Sequence, residues 1–225
     1  ELDGFYASDA NGAGATIDLK AGSADLSNLN SIYGTGSAPT YGTLTFSGVY
    51  GVIGTIFSDT LSGGAYDEFE VFRGGAGNDL IDGRGGLDRA DYRNATEAIS
   101  VSLAAGTVSG GASIGTDTIR SVESIRATHF ADTFDATGFG LASAVNLGSV
   151  GLFNSIEALG GDDTITGNGA TQLSFEFAML PVRVDLNAGI SDARNDPERS
   201  TAEYLTVGRD TFNGASGIVG SMLDD

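Results

Sequence analysis

Two adjacent nine-residue segments carry the residue types that suit binding of a hard cation. The first runs from Gly74 to Asp82 and the second from Gly83 to Asp91, and each places glycines and one aspartate ahead of a short apolar strand. Glycine permits positive φ, so such a turn can point its carbonyl oxygens inward, and the aspartate adds an anionic oxygen. Two stacked turns of this kind could supply the roughly six to eight oxygens that calcium takes.

The sequence predicts which groups bind the cation. The expected side-chain ligands are the carboxylates of Asp79 and Asp88, and carbonyl oxygens of the two turns complete the set. The first turn comprises Gly74, Gly75, Ala76, Gly77 and Asn78, and the second comprises Gly83, Arg84, Gly85, Gly86 and Leu87. Arg84 stands where the pattern has glycine, so we expect its charge to point outward while its carbonyl remains free to coordinate.

The nonapeptide resembles the calcium-binding repeat of RTX (repeats-in-toxin, or haemolysin-type) proteins. The resemblance is most specific over residues 74–91. It implies a β-roll that binds structural Ca²⁺ in a secreted or cell-surface bacterial protein. Members of this family typically carry a C-terminal signal for type I secretion, so we expect the chain to be a fragment of a larger protein.

Three other turns resemble the motif in part. Leu159–Ile165 keeps Gly161, Asp162 and Asp163, and it lies 84 residues after Gly77-Asn78-Asp79, so we predict a half-site there. Its successor, Gly167–Gln172, places Gln172 where the aspartate should be, and an amide oxygen is a weaker ligand. The segment Ser62–Phe69 is a looser match.

Three further aspartates precede a similar strand without the glycines. Asp59, Asp132 and Asp225 follow Phe57, Phe130 and Leu223 at the position where the motif has glycine. We expect these apolar side chains to point inward. The corresponding turns are therefore interpreted as core-forming steps rather than metal sites.

Composition limits the classes of function. The chain has 225 residues, 35 glycines, no cysteine and a formal net charge of −19, with only 11 lysines and arginines. Such a balance argues against nucleic acid as a partner, because phosphates would be repelled. It suits uptake of divalent cations, which would reduce the self-repulsion of the folded chain. No apolar run is long enough to span a membrane.

A longer repeat organises the chain. Ile17–Gly22 recurs as Val101–Gly106 and again as Val184–Gly189, with glycines 84 and 83 residues apart. Each copy leads into a second similar segment, exemplified by Gly115–Ile119 and Gly208–Phe212. We therefore predict one domain of about three degenerate units, at residues 1–72, 73–156 and 157–225.

The local pattern predicts strands rather than helices. Ala15–Leu19, Ser100–Leu103 and Pro181–Leu186 alternate apolar and polar residues, which is typical of a strand with one buried face. The predicted fold is all-β, a parallel β-solenoid (β-roll or parallel β-helix) of short stacked strands. The first and third units carry longer loops, Ser23–Tyr41 and Ile190–Val207, which are either a binding face or neutral surface variation.

Catalysis is not expected. His129 is the only histidine, and its place before Phe130 in a core-like repeat favours a structural role. Neither a zinc site nor a Ser-His-Asp triad is indicated by the spacing. The resemblance raises calcium-dependent self-cleavage at Asp196-Pro197, but an ordinary turn explains that dipeptide better.

We therefore expect a calcium-binding structural region of a secreted or surface RTX-like protein, acting as a spacer, adhesin or scaffold. One alternative is a polysaccharide-binding or carbohydrate-active β-helix. Another is a calcium-dependent subunit that assembles with other copies of itself into an extracellular filament or layer.

Overall fold

The computed structural model describes residues 13–27, 42–65, 68–192 and 207–225. These residues form an all-β fold in which 18 strands belong to one sheet. The strands are β1 Ala13–Asp18, β2 Ser23–Asp25, β3 Thr43–Thr45, β4 Gly51–Ile53, β5 Ser58–Ser62, β6 Phe69–Arg73, β7 Leu80–Asp82, β8 Leu87–Asp91, β9 Ser100–Ser102, β10 Thr107–Ser109, β11 Thr116–Arg120, β12 Ser124–Arg126, β13 Thr133–Asp135, β14 Asn154–Glu157, β15 Thr164–Ser174, β16 Arg183–Asp185, β17 Ile190–Asp192 and β18 Arg209–Val219.

Most strand pairing is parallel and follows two stacks. The first stack contains β1, β5, β7, β11, β9, β13, the first half of β15 and the first half of β18, with β10 between β11 and β9. The second contains β4, β6, β8, β12, β14 and the second halves of β15 and β18. From β4 to β8 the chain alternates between the two stacks, so each glycine turn carries it from one stack to the other.

The antiparallel pairs all lie in three meanders. These are β1-β2-β3, β9-β10-β11 and β16-β17-β18. Their first strands contain Ile17, Val101 and Val184, which are the residues that open the three copies of the long repeat. The period of 83–84 residues seen in the sequence therefore coincides with a recurring structural element.

Alternation along the strands builds the core. Leu61, Ile81 and Ile119 are cross-strand partners in the first stack, and all three are fully buried. Phe72 pairs with Ala90 in the second stack, and both are fully buried as well. Aligned apolar residues stabilise each step through its neighbours, because a single three-residue strand buries too little surface to fold alone.

The predicted strands are confirmed at β1, β9 and β16, and no helix that could cross a membrane occurs in the described ranges. The predicted loops Ser23–Tyr41 and Ile190–Val207 begin with strands, β2 and β17. Residues 28–41 and 193–206 lie outside the described residues, and so does the Asp196-Pro197 bond.

Candidate functional site

Buried carboxylates form a column along the turns that enter the first stack. The backbone N–H of Asp59 donates to Asp79 Oδ1 at 2.8 Å, and the N–H of Asp79 donates to Asp117 Oδ1 at 2.9 Å. Each carboxylate thus accepts the amide of the aspartate one turn earlier. The column thus places Asp79 between two other acids, Asp59 and Asp117. Each of these is at most 3 % exposed to solvent.

The same column continues beyond the middle meander. The N–H of Asp132 donates to Asp163 Oδ1 at 2.7 Å, and the N–H of Asp163 donates to Asp210 Oδ1 at 3.2 Å. Asp163 therefore lies between Asp132 and Asp210 as Asp79 lies between Asp59 and Asp117. The residue that the sequence predicted as a degenerate half-site has the same surroundings as the central residue of the motif.

Asp88 belongs to a different column on the second stack. The N–H of Glu70 donates to Asp88 Oδ1 at 3.2 Å, and the N–H of Asp88 donates to Glu123 Oε2 at 3.0 Å. Asp79 and Asp88, the two carboxylates of the tandem motif, are therefore not brought together. Each has its own neighbours, and the two nonapeptides form two separate turns.

Three of these carboxylates each have one oxygen without a hydrogen-bond partner. Asp79, Asp88 and Asp163 are each at most 2 % exposed, and the Oδ2 atom of each is buried and unpartnered. A buried polar atom without a partner is costly, and a buried charge costs more. Two other atoms of the described residues share this condition, Arg73 Nε and Glu157 Oε1, both on the second stack.

Burial and repulsion make these carboxylates weak acids. Burial, reinforced by the charges of Asp117 and Asp59, raises the pKa of Asp79 to about 8. Burial, with the charges of Glu70 and Glu123, raises the pKa of Asp88 to about 8. The pKa of Asp163 is also raised, first by burial and then by Asp210. Each site therefore gains from a proton or a cation that offsets the negative charge.

The turns before these aspartates share one backbone conformation. Gly75 and Gly77 have φ of 108° and 120°, and the equivalent residues Leu159 and Gly161 have φ of 65° and 103°. The turn is also tightly stacked, since a Cβ on Gly77 would lie 2.6 Å from the carbonyl carbon of Phe57. Glycine at this position is required by both the dihedral angle and the space.

The structure assigns several predicted ligands to particular places in the turn. The Cα of Gly74 faces the Asp79 carboxylate and that of Gly83 faces the Asp88 carboxylate, so a side chain at either position would collide with it. Leu87 is 38 % exposed at the start of β8. Ala76, Gly85 and Gly86 complete the two turns.

Two predicted ligands have side chains that stabilise the stacking. Asn78 Oδ1 accepts the N–H of Thr116 at 2.8 Å, and Asp162 Oδ1 accepts the N–H of Arg209 at 2.9 Å. These equivalent bonds tie each glycine turn to the next turn of the first stack. The side-chain oxygens of Asn78 and Asp162 therefore have a structural use.

Arg84 makes the Asp88 turn different from the other two. Its guanidinium donates to Asp18 and to the carbonyl of Gly63 at 2.8 Å, and its own carbonyl accepts the Ser149 hydroxyl at 3.1 Å. The charge of Arg84 therefore lies at a partly exposed position, paired with Asp18, but its carbonyl is not free as expected. The Asp88 turn holds a cationic side chain of its own, and one predicted carbonyl ligand already has a partner.

The turns interpreted as core-forming differ from the glycine turns in the hydrogen bonding of their aspartates. They also differ from the expectation in the exposure of their apolar side chains. Asp59 and Asp132 have both carboxylate oxygens hydrogen-bonded, so neither leaves an unpartnered oxygen. However, Phe130 is 42 % exposed and Leu223 is 46 % exposed, while Phe57 is only partly buried. The apolar side chains of these turns therefore do not all point inward.

The looser matches hold no equivalent of Asp79. Gly64 donates its N–H to the Glu70 carboxylate at 2.8 Å, so the acid after the first glycine pair is Glu70, and residues 66–67 lie outside the described residues. In the other match, Gly167–Gln172, strand pairing places Thr171 and not Gln172 opposite Asn154. Its hydroxyl bonds Asn154 Oδ1 at 2.9 Å, so a neutral group replaces the carboxylate.

The sequence did not predict the acids that lie next to the aspartates with an unpartnered Oδ2 atom. Asp117 and Asp210 lie in the segments Gly115–Ile119 and Gly208–Phe212, which were recognised as a repeat but not as part of a site. Their Asp-Thr-apolar pattern is that of Asp163-Thr164-Ile165, which could have indicated it. Glu70 and Glu123 gave no such signal, because their turns lack the motif.

Backbone oxygens would have to complete any metal site. Within the described ranges, no three histidine, cysteine, aspartate or glutamate side chains are close enough to hold a metal by themselves. His129 is exposed in the Thr128–Asp132 turn, so the core-like surroundings expected for it are not found. The chain matches no protein-family model, and no curated protein matches it.

Proposed function

We propose that the chain is a β-roll, a parallel β-solenoid whose glycine turns bind Ca²⁺ as a structural ion. The observation that carries this proposal is the unpartnered Oδ2 atom of Asp79 and of Asp163, at equivalent places in two repeats. A buried carboxylate oxygen that recurs without a partner is poorly explained by packing alone. A cation bound to that oxygen would remove the penalty.

The chemistry of the turns favours calcium over other metals. Carboxylate and carbonyl oxygens are hard ligands, and calcium accepts them in flexible arrangements. Zinc and copper prefer nitrogen and sulfur ligands, and the sequence offers no cysteine and only one histidine, His129. Magnesium needs near-octahedral geometry and retains water, which suits a narrow stacked turn less well.

The proposed biological role is that of a secreted or cell-surface RTX-like region, serving as a spacer, adhesin or scaffold. Extracellular modules commonly bind calcium with dissociation constants of about 10⁻⁴–10⁻³ M. At millimolar calcium, a site at the tighter end would gain roughly 1.4 kcal/mol of stability. The acidic turns would repel one another in calcium-poor cytosol and be neutralised after export.

Calcium titration tests the proposal. Isothermal titration of the chelator-treated protein should show at least two ions bound, and the melting temperature should rise with millimolar calcium. The double variant D79N/D163N should lose two ions. D135N is a matched control, because Asp135 is an exposed aspartate on β13. A wild-type protein that binds no calcium at millimolar concentration would reject the proposal.

One observation favours a second role, binding of polysaccharide. Phe69 and Phe177 are about half exposed, and they stack on the guanidinium groups of Arg89 and Arg126 at 5.3 and 4.6 Å. Both arginines contact Glu157, which places the two pairs side by side. Exposed aromatic rings can stack on the faces of sugar rings, while the ion-paired arginines hold the two phenylalanines in place. Polysaccharide binding that survives in F69A/F177A would reject this role.

A further inference from the structure

Two turns of the first stack and the turn that ends at Asp225 carry an internal hydrogen-bonded cap on their aspartate. In the Thr128–Asp132 turn, the Thr128 N–H donates to Asp132 Oδ2 at 2.8 Å and the Thr128 hydroxyl contacts both carboxylate oxygens at 2.9 Å. The same hydroxyl accepts the N–H of Phe130 at 3.0 Å. One threonine therefore satisfies the oxygen that is unpartnered in the glycine turns.

The cap recurs at the same place in all three units. Thr55 N–H donates to Asp59 Oδ2 at 2.6 Å, and Ser221 N–H donates to Asp225 Oδ2 at 2.6 Å. In both turns the hydroxyl of the capping residue also bonds the carboxylate. In these three turns the capping residue lies four positions before the aspartate. Ser113 lies four positions before Asp117 but bonds Glu97 instead, so the cap belongs to these three turns and not to every aspartate of the column.

The residue at the same position differs in the turns with an unpartnered oxygen. Gly75, Arg84 and Leu159 lie four positions before Asp79, Asp88 and Asp163, and they have φ of 108°, 64° and 65°. The described ranges contain only three non-glycine residues with positive φ, and Arg84 and Leu159 are two of them. A leucine in this region is strained by roughly 1 kcal/mol. Strain of this kind is common at ligand sites.

We infer that the residue four positions before the aspartate decides whether a turn binds a cation, in the turns that end at Asp59, Asp79, Asp88, Asp132, Asp163 and Asp225. This inference rests on the proposed function. Threonine or serine there supplies an N–H and a hydroxyl to the carboxylate, so the turn is complete without an ion. A residue with positive φ turns its N–H away and leaves the oxygen for a cation. Each cation-binding turn of the first stack then follows a capped turn, Asp79 after Asp59 and Asp163 after Asp132.

The inference limits the number and location of the ions. Asp59, Asp132 and Asp225 bind no ion, although their sequences resemble the motif. Asp59 and Asp132 begin an Asp-Thr-apolar segment, and Asp225 belongs to an Asp-Asp pair. In chelator the capped turns remain as preformed steps, so removal of the ions loosens the stack at Asp79 and Asp163 without dissolving the whole array. The threonine turns thus act as ion-independent anchors between ion-dependent turns.

The experiment compares matched variants in the intact chain. D163N should bind one calcium ion fewer than the wild type, and D132N should bind the same number. In chelator, T128V should lower the melting temperature by roughly 2–4 °C, the shift expected from loss of one cap in a chain of this size. T133V is the matched control, because Thr133 lies in the same step and is exposed.

Two results would overturn the inference. One is loss of a calcium ion in D132N, and the other is an equal melting temperature for T128V and T133V in chelator. T55V repeats the second measurement in the first unit if T128V does not fold. The proposed function fails separately, through the absence of any calcium binding by the wild type, and in that case the comparison of T128V with T133V still tests the cap.

Discussion

Arg84 and Asp18, which lie 66 residues apart in the sequence, form two charge-assisted hydrogen bonds of 2.9 and 2.7 Å. These bonds connect the second glycine turn to β1. Hydrogen bonding by Arg84 lowers the pKa of Asp18 to about 2. Both side chains are about one-third exposed, so the ion pair contributes at most about 1 kcal/mol of stability.

Two substitutions of Arg84 measure separately the contributions of the ion pair and of the backbone strain to stability. The φ of Arg84 is 64°, a conformation that costs a non-glycine residue roughly 1 kcal/mol. R84A loses the ion pair and keeps the strain, whereas R84G loses both. We therefore expect R84A to be less stable than R84G by about 1 kcal/mol, and R84G to be close to the wild type. Urea denaturation in chelator measures the difference, and equal losses for the two variants would contradict it.

The D79N substitution should have opposite effects with and without calcium. In chelator at about pH 9 the variant removes a buried, repelled carboxylate, so its melting temperature should rise. In millimolar calcium it should lack the roughly 1.4 kcal/mol that one ion contributes. Calorimetry in the two buffers gives both values. D135N, at an exposed position, should show neither change, and a D79N that is destabilised in both buffers would indicate a purely structural aspartate.

Stability in chelator should fall as the pH rises. Asp79 and Asp88 have a folded pKa of about 8, against an ordinary value of 3.8, because of burial and neighbouring acids. A pKa raised by folding means that the folded state holds the proton more tightly. Its contribution is complete below about pH 4 and is lost as the pH rises through about 8.

Thermal melts between about pH 5 and about pH 9 measure this dependence. In chelator the melting temperature should decrease steadily over the range, whereas saturating calcium should flatten the profile because the ion replaces the proton. Asp18 does not affect this window, since its lowered pKa changes stability only in stronger acid. A flat profile in chelator would show that the carboxylates are not buried as described.

Gly77 should tolerate a side chain much less well than Gly48. Both have positive φ, but a Cβ on Gly77 would lie 2.6–2.8 Å from the backbone of Phe57 and Ser58, while a Cβ on Gly48 meets nothing within 4 Å. G48A should therefore cost about 1 kcal/mol from the dihedral angle alone. G77A should cost several times that amount in a denaturation experiment. Similar losses would mean that the turns are less tightly stacked than the structure shows.

The local properties of this protein could be predicted from its sequence. The glycine turns, the period of the repeat and the strands at Ile17, Val101 and Val184 depend on neighbouring residues. So does the equivalence of Asp163 with Asp79, since their turns have related sequences. Backbone conformation at Gly77 and alternation along a strand are short-range properties, which is why a single sequence reveals them.

The partners of each acid could not be predicted in the same way. The neighbours of Asp79 in its column are Asp59 and Asp117, at separations of 20 and 38 residues, and not the adjacent motif residue Asp88. Strand pairing between turns of unequal length sets these separations. The exposure of Phe130 likewise depends on how its turn stacks on the next.

The sequence by itself thus determined where the turns of glycine and aspartate lie and that the chain folds as stacked strands, because glycine, aspartate and alternating apolar residues act locally. Only the tertiary structure decided that the tandem motif of residues 74–91 is divided between two columns. It also decided that Thr55 and Thr128 cap their aspartates while Asp79, Asp88 and Asp163 each keep one unpartnered oxygen. The reason is physical, since burial and hydrogen bonding of a carboxylate depend on groups brought beside it by long-range pairing.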